Sequence, residues 1–242
     1  LQSVLFITLG FGMVGFLDDY IKVVKKRSLG LTAMQKLLLQ LIITIIFSYM
    51  LRFYVGLDTK VIIPFTHRME IDLGVLYYPF LIIGVLGVVN AVNLTDGVDG
   101  LAASVTVLIS TFFTVVALEF QNGAAAFAAA TTGSLLGFLL FNSHPARIFM
   151  GDTGSLALGG FVAAISFILK MPIFILIIGV IYVIENISVI VQVFYFKKTK
   201  KRFFKMAPIH HHFELSGWEE TKVVSVFAII TAVMCLIGLI AL

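Results

Sequence analysis

Long apolar runs separated by short polar segments dominate the sequence. The runs lie at about residues 1–17, 34–54, 74–93, 99–119, 123–141, 154–169, 172–195 and 222–242. An α-helix needs about 20 apolar residues to cross a hydrocarbon core about 30 Å thick, and the runs lack the alternation of barrel strands. The pattern therefore predicts an all-α fold: a polytopic transmembrane helical bundle with eight spans in this chain, forming a single membrane domain over residues 1–242.

Composition agrees with a membrane protein. Hydrophobic residues make up 60% of the chain and charged residues 12%, and the mean hydropathy is +1.08. A soluble domain of this length could not hide so much apolar surface. The single cysteine, Cys235, lies inside an apolar run, which excludes a disulfide framework and a cysteine-rich metal site.

Basic residues divide unevenly between the two sets of loops that alternate spans must place on opposite sides. One set holds thirteen, including Arg27, and the other holds only Arg52, Lys60, Arg68 and Lys170. The positive-inside rule assigns the richer set to the cytoplasm. The net charge of +4 therefore requires no nucleic acid, while the basic face would attract anionic membrane lipid.

Two loops are long enough to fold. Residues 197–221 form the longest cytoplasmic loop and contain three consecutive histidines. On the outer side, Val61, Ile62 and Ile63 followed by Pro64 predict a small hairpin within residues 56–72.

Four polar clusters interrupt the apolar chain, and the parity of the spans places all four on the cytoplasmic side. The first is Asp18-Asp19-Tyr20, followed by Lys22 and Lys26. Adjacent carboxylates repel each other, so a divalent cation or lysines must neutralise them at a membrane boundary. A solvated helix end is the simpler alternative.

The second cluster contains Asn90, Asn93, Asp96 and Asp99. The first three are spaced three residues apart and share a face if the helix persists through Asp96. An alternative for Asp99 is that it caps the next helix.

The third cluster runs from Asn142 to Ser155 and includes His144, Arg147 and Asp152. Asp152 lies between glycines just before an apolar run, where a capping role is the alternative. Capping would leave Asn142, His144 and Arg147 without a role, which favours a functional site.

The fourth cluster is His210-His211-His212. Adjacent residues on a helix point about 100° apart, so a single metal ion is a poor match for all three. We expect two of them to contact a phosphate or a nucleotide.

The number of carboxylates near one membrane boundary indicates a functional site. A carboxylate at membrane depth costs about 2.5 to 3.5 kcal/mol, and at least five gather near one boundary. Oxygen-rich ligands with few histidines fit Mg2+, which bridges phosphate oxygens.

The four motifs resemble those of the polyprenyl-phosphate N-acetylhexosamine-1-phosphate transferases. The segments concerned are residues 18–20, 90–100, 149–155 and 207–214, in this order along nearly the whole chain. The histidine segment is similar to that of the bacterial cell-wall branch. The resemblance implies ten membrane helices, so we expect two N-terminal spans, with the loop after them, to be missing from these 242 residues.

The resemblance also implies an activity. It is the Mg2+-dependent transfer of phospho-N-acetylmuramoyl-pentapeptide from UDP-N-acetylmuramoyl-pentapeptide to undecaprenyl phosphate, which gives lipid I and UMP. The site would lie on the cytoplasmic face of the bacterial cytoplasmic membrane. A homodimer is left open.

Roles for individual residues follow from the resemblance. It implies that Asp152 binds the metal ion and that Asp18 is the base proposed to deprotonate the lipid phosphate. Asp19 would support the lipid phosphate or the metal, and His211 and His212 complete the catalytic set. The implied substrate-binding residues are Lys22, Lys26 and Lys36 at phosphates, Asn93, Asp96, Asp99 and Gln192 at the nucleoside, Asn142 at the sugar-pyrophosphate end, and Asn90, Phe149, Gly151, Ser155 and His210.

Two alternative functions stay open. A sister transferase would act on UDP-N-acetylglucosamine, and a transporter of lipid-linked substrates would place its ionisable groups near the bilayer midplane. For a transferase, we favour direct attack by the lipid phosphate over a two-step route through a phospho-aspartate.

Overall fold

The computed structural model describes residues 2–26 and 29–242, so Arg27 lies outside the described residues. Within this part, eight helices are long and apolar enough to cross a membrane. They are α1 (Gln2–Val23), α2 (Ala33–Phe53), α3 (Tyr77–Thr95), α4 (Leu101–Glu119), α5 (Ala124–Asn142), α6 (Gly151–Ile168), α8 (Val180–Thr199) and α10 (Glu220–Ile240). The prediction of an all-α bundle with eight spans is confirmed.

Two of the helices that extend beyond the predicted runs carry aspartates of the clusters. Helix α1 continues to Val23, so Asp18 and Asp19 lie in its last turns. Lys22 lies one turn after Asp18 and forms an ion pair with it, which makes charged residues tolerable in that turn. Helix α6 begins at Gly151, three residues before the predicted run.

The seventh apolar run is interrupted. A 3-10 turn over Pro172–Phe174 is followed by the short helix α7 (Ile175–Ile178), and α8 begins after Gly179. A β-carbon at Gly179 would lie 2.8 Å from the Ile175 carbonyl oxygen, so the chain turns closely on itself there. The prediction of one continuous helix over residues 172–195 was wrong, because the turn at Gly179 divides it.

The hairpin predicted within residues 56–72 is present. Strand β1 (Lys60–Ile62) pairs antiparallel with β2 (Glu70–Asp72), with Val61 opposite Ile71. Lys170, just after α6, donates hydrogen bonds to Asp58 at 2.8 Å and Glu70 at 3.2 Å. Although burial disfavours the ammonium, these two carboxylates raise the pKa of Lys170. These hydrogen bonds hold the hairpin against the end of α6.

Helices α4 and α6 are the two most enclosed spans. Helix α6 buries Phe161, Val162 and Phe167 in the core and packs against α1 and α3. A second short helix, α9 (Ile209–Glu214), contains the three histidines. Because α6 packs against α1 and α3, its first turn lies where the ends of those two helices converge.

Candidate functional site

Helix α1 approaches the start of α6 very closely. A β-carbon at Gly15 would overlap the Asp152 carbonyl group, and one at Gly160 would lie 2.8 Å from the Phe11 ring. Small residues allow membrane helices to pack backbone to backbone. This packing brings Asp18 and Asp19, near the end of α1, to Asp152 in the first turn of α6.

Asp19 joins the two helices. Its Oδ2 accepts hydrogen bonds from the Thr153 backbone N–H at 2.9 Å and from the Thr153 hydroxyl at 2.8 Å. Gly151 has φ +64°, and a β-carbon there would lie 2.9 Å from the same Asp19 oxygen. Glycine therefore suits both the backbone conformation and the space.

Asp18 is almost fully buried, with 1% of its surface exposed. Its Oδ1 accepts a hydrogen bond from the Leu31 N–H at 2.7 Å. Its Oδ2 lies 2.5 Å from Lys22 Nζ and 3.5 Å from Lys36 Nζ. One backbone N–H and two ammonium groups therefore converge on this carboxylate.

Asp152 lies at the centre of the cluster. Its Oδ2 accepts hydrogen bonds from Lys22 and Lys36, each at 2.9 Å, and its Oδ1 accepts one from Asn93 at 2.8 Å. Asn93 also lies 2.8 Å from the Ser155 hydroxyl. The Asp152 side chain takes tertiary partners rather than capping the helix, since Met150 is the N-cap residue.

The start of α2 places Lys36. Thr32 is the N-cap, and its hydroxyl and the Gln35 side chain form a reciprocal capping box. A capping box fixes where a helix begins. Lys36 therefore lies one turn into α2 and reaches both Asp18 and Asp152.

The three aspartates suit a divalent cation. Asp18, Asp19 and Asp152 each offer a carboxylate oxygen, and these oxygens lie within 4.8 Å of one another. An all-oxygen set is the chemistry that Mg2+ prefers. With all groups ionised, three carboxylates and two lysines give a net charge of −1, so a bound divalent ion would leave the cluster positive and able to hold phosphate.

A cavity of about 250 Å³ adjoins the acidic cluster. Its lining consists of Asp96, Gly97, Val98, Asp99, Asn142, Phe149, Met150 and Gly151. Burial, and then the nearby charges of Asp152 and Asp19, raise the pKa of Asp96 to about 7. Gly151 lines the cavity and directly precedes Asp152, so the cavity lies beside the acidic cluster.

Asp99 does not cap α4. The N-cap residue of α4 is Gly100, and Asp99 Oδ2 instead accepts a hydrogen bond from the Ala146 N–H at 2.9 Å. His144 Nδ1 lies 3.4 Å from Asp99 and 3.1 Å from Glu220. The second and third sequence clusters are therefore joined, with Glu220 as a partner that the sequence did not reveal.

The three histidines have different partners. His210 Nδ1 lies 3.0 Å from Glu185 and His211 Nδ1 lies 2.6 Å from Glu214. His212 Nδ1 accepts a hydrogen bond from the Lys205 backbone N–H at 3.1 Å. A backbone N–H can only donate, so neutral His212 carries its proton on Nε2.

Several predicted site residues lie apart from the acidic cluster. Asn90 pairs with the Gln40 side chain at 2.9 Å, and the Gln192 side chain accepts hydrogen bonds from Phe203 N–H and Phe204 N–H. Lys26 is exposed in the loop after α1. Their substrate contacts stay predictions.

Three residues that bind predicted site residues or their helices escaped the sequence interpretation. Thr153 binds Asp19, Gln40 binds Asn90, and Glu185 binds the first turn of α9. Glu185 did carry a signal, because it is an acid inside the apolar run of residues 172–195.

Comparison with known proteins gives consistent matches. The model of glycosyl transferase family 4 matches residues 1–170. A phospho-N-acetylmuramoyl-pentapeptide-transferase of Clostridium botulinum (strain Eklund 17B / Type B) is 53% identical over 242 residues, covering 99% of this chain and 73% of the relative. Proteins of the same name from Clostridium kluyveri (strain ATCC 8527) and Clostridium perfringens (strain SM101) are 54% identical over 239 residues and 56% identical over 230 residues. These two alignments cover 98% and 95% of this chain, and 75% and 70% of the relatives. With eight apolar helices among its described residues, this chain is an integral membrane protein that belongs to glycosyl transferase family 4.

Proposed function

We propose that the protein transfers phospho-N-acetylmuramoyl-pentapeptide from its uridine diphosphate carrier to undecaprenyl phosphate, giving lipid I and UMP. The observation that carries the proposal is the cluster of Asp18, Asp19 and Asp152 with two lysines at the converging ends of membrane helices. Such a cluster suits a reaction between a water-soluble diphosphate and a membrane-bound phosphate. The relatives carry the name of this transferase.

A second cavity supports a lipid acceptor. It has a volume of about 270 Å³ and lies between α3 and α8, with Phe80, Ala91, Phe167 and Ile190 in its lining. From Phe80 to Ala91 the helix rises about 16 Å, at 1.5 Å a residue, or about half of the hydrocarbon core. Asn93, which binds Asp152, follows two residues after Ala91. We propose that this apolar groove holds the first isoprene units of the acceptor and directs its phosphate to the acidic cluster.

The cavity beside Asp96 and Asp99 would hold the nucleotide end of the donor. Gly151 in its lining precedes Asp152, which binds Lys22 and Lys36, so a diphosphate that extended past Gly151 would meet these two lysines. Two ammonium groups are well suited to neutralise phosphate oxygens. His212, with its proton on Nε2, supplies a further hydrogen-bond donor on that side of the site.

The proposed reaction is a direct displacement. An oxygen of the lipid phosphate forms a bond to the sugar-linked phosphorus, and the bond from that phosphorus to the oxygen of UMP breaks. Mg2+ held by the aspartates would stabilise the charge on the pyrophosphate oxygens. Lys22 and Lys36 orient the phosphates, while Asp152 and Asp18 hold the two lysines in place.

The Asp18 carboxylate accepts a hydrogen bond from the Leu31 N–H and forms an ion pair with Lys22. A phosphate monoester is largely dianionic near neutral pH, since its second pKa is about 6. The attacking oxygen therefore needs positioning more than deprotonation, which makes Asp18 a stronger candidate for orienting charge than for removing a proton.

We further propose that the site faces the cytoplasm of a bacterium and that the membrane is the cytoplasmic membrane. The support is the distribution of basic residues, thirteen on the side of the site against four on the other. Cysteine substitutions at Ser216 and Thr66, on the two sides of the bundle, would report this orientation by labelling with a membrane-impermeant reagent in intact cells. We expect only the cysteine at residue 66 to react.

The function is tested by measuring UMP release with the complete purified protein. UDP-N-acetylmuramoyl-pentapeptide and UDP-N-acetylglucosamine are each supplied with undecaprenyl phosphate, with and without Mg2+. We expect Mg2+-dependent UMP only with the pentapeptide donor and only when the lipid is present. Turnover of UDP-N-acetylglucosamine alone would assign the sister activity, and enzyme-bound phosphosugar formed without lipid would overturn direct displacement.

A further inference from the structure

Glu185 is a fully buried carboxylate in α8, away from the three aspartates of the acidic cluster. The side chain is 0% exposed, and both of its oxygens are occupied. Oε2 accepts a hydrogen bond from the Ile209 N–H at 2.9 Å, and Oε1 lies 3.0 Å from His210 Nδ1. Removing a carboxylate from water costs several kcal/mol. Glu185 is therefore a poor source of stability, and its main effect is on geometry.

The contact with Glu185 determines which nitrogen of the His210 ring carries the proton. An ionised carboxylate can only accept hydrogen bonds, so Nδ1 must carry a proton. In the neutral ring this leaves Nε2 as a bare acceptor. Nε2 is buried and has no hydrogen-bond partner among the described residues.

The opposite edge of the ring rests on Gly97. A β-carbon at Gly97 would overlap Nε2 and would lie 2.6 Å from Cε1, so only glycine leaves room for the imidazole. Gly97 lines the cavity together with Asp96 and Asp99. The imidazole is therefore held between the carboxylate of α8 on one side and the cavity wall on the other.

We propose that Glu185 is a positioning residue that acts through His210. By accepting a hydrogen bond from Nδ1–H, Glu185 fixes the orientation of the His210 ring. The ring in turn supports the loop of residues 96–100 at Gly97 and so determines the shape of the donor cavity. The proposal rests on the proposed function, because donor binding is one of its readouts. The acidic cluster keeps its own contacts to Lys22, Lys36 and Asn93, none of which involves Glu185 or His210. Loss of the support should therefore affect the donor and spare the lipid acceptor.

Glu185→Gln tests the proposal without changing the size of the side chain. The amide oxygen can still accept from Ile209 N–H, but its NH2 group faces Nδ1 and forces that atom to become an acceptor. The proton then moves to Nε2, which points at Gly97. We expect the 15N signals of His210, assigned by their loss in His210→Gln, to change from the Nδ1-protonated to the Nε2-protonated tautomer.

Kinetics in the complete protein supply the second readout. We expect the KM for the nucleotide donor to rise about tenfold or more in Glu185→Gln, with the KM for undecaprenyl phosphate within twofold of the wild type. A purely structural role would lower the active fraction, and so kcat, and leave both KM values unchanged. An unchanged donor KM or an unchanged tautomer would overturn the proposal.

Two further variants keep the test independent of folding and of the reaction. Ser188→Ala removes a buried hydroxyl that binds the Glu185 carbonyl at 2.7 Å, and it should leave the tautomer and both KM values unchanged. Gly97→Ala pushes the ring from the other side and should raise the donor KM in the same way. If the wild type transfers nothing, the proposed function fails, while the tautomer change still decides whether Glu185 sets the His210 ring.

Discussion

Replacing Asp152 by asparagine is the sharpest perturbation of the acidic cluster. The variant keeps the volume of the side chain and an oxygen that can accept from Asn93 Nδ2. It removes the charge that two lysines share at 2.9 Å. Lys22 keeps Asp18 at 2.5 Å, whereas Lys36 keeps only the longer contact at 3.5 Å. The ionised cluster changes from a net charge of −1 to 0, and its metal site loses one of three carboxylates.

The expected effects on folding and on transfer differ in size. A hydrogen bond to a charged group contributes about 1.5 to 3 kcal/mol, and the partial exposure of Lys22 reduces its share. We therefore expect the free energy of unfolding to fall by about 2 kcal/mol or less. Loss of a preorganised charge costs about 10²- to 10³-fold in rate, so transfer should fall about 10³-fold, or about 4 kcal/mol in the barrier.

The assay is UMP release under saturating donor and lipid, with thermal unfolding in detergent measured on the same samples. Asp58→Asn is the matched control, because it removes the same charge from a lysine contact of 2.8 Å beside the hairpin, away from the acidic cluster. We expect wild-type turnover in the control. Wild-type turnover in Asp152→Asn, or an equal loss in both variants, would refute the role of Asp152.

Two other predictions address the cavity and the helix packing. Because the pKa of Asp96 is raised to about 7, the folded state binds a proton more tightly than the unfolded chain, so stability should fall as pH rises from about 4 to 7. Asp96→Asn should therefore unfold at a higher temperature than the wild type at pH 8, with the difference shrinking toward pH 5; the same difference at both pH values would contradict this assignment. Gly15→Ala should destabilise the protein by about 1 to 3 kcal/mol through overpacking against the Asp152 carbonyl and reduce UMP release, whereas Gly137→Ala, in open space on α5, should leave both nearly unchanged. Equal unfolding temperatures for Gly15→Ala and Gly137→Ala would rule out the close approach of α1 and α6.

The sequence was a good guide to the number of helices and to the position of the polar clusters. Apolar runs of about 20 residues are a strong signal, and the alternation of loops between two sides predicted that Asp18, Asp19 and Asp152 lie on the same side. The hairpin was also predicted from Val61, Ile62 and Ile63 next to Pro64. These features depend on local composition, which a sequence displays directly.

The hydrogen-bond partners of individual side chains could not be predicted from the sequence. Asp19 binds Thr153 across 134 residues of chain, and Lys22 reaches Asp152 across 130. Such contacts depend on the close approach of α1 and α6 at Gly15, which no local pattern encodes. The interruption at Gly179 was also missed, because the run of residues 172–195 is apolar on both sides of that glycine.

The central claim is that Asp18, Asp19 and Asp152 together hold one divalent cation at the meeting point of donor and acceptor. Electron paramagnetic resonance of Mn2+, titrated into the complete protein, measures this binding directly. We expect one tightly bound ion in the wild type and in Asp58→Asn, competition by Mg2+, and loss of the bound ion in Asp152→Asn. Equal Mn2+ binding by the wild type and Asp152→Asn would contradict the account.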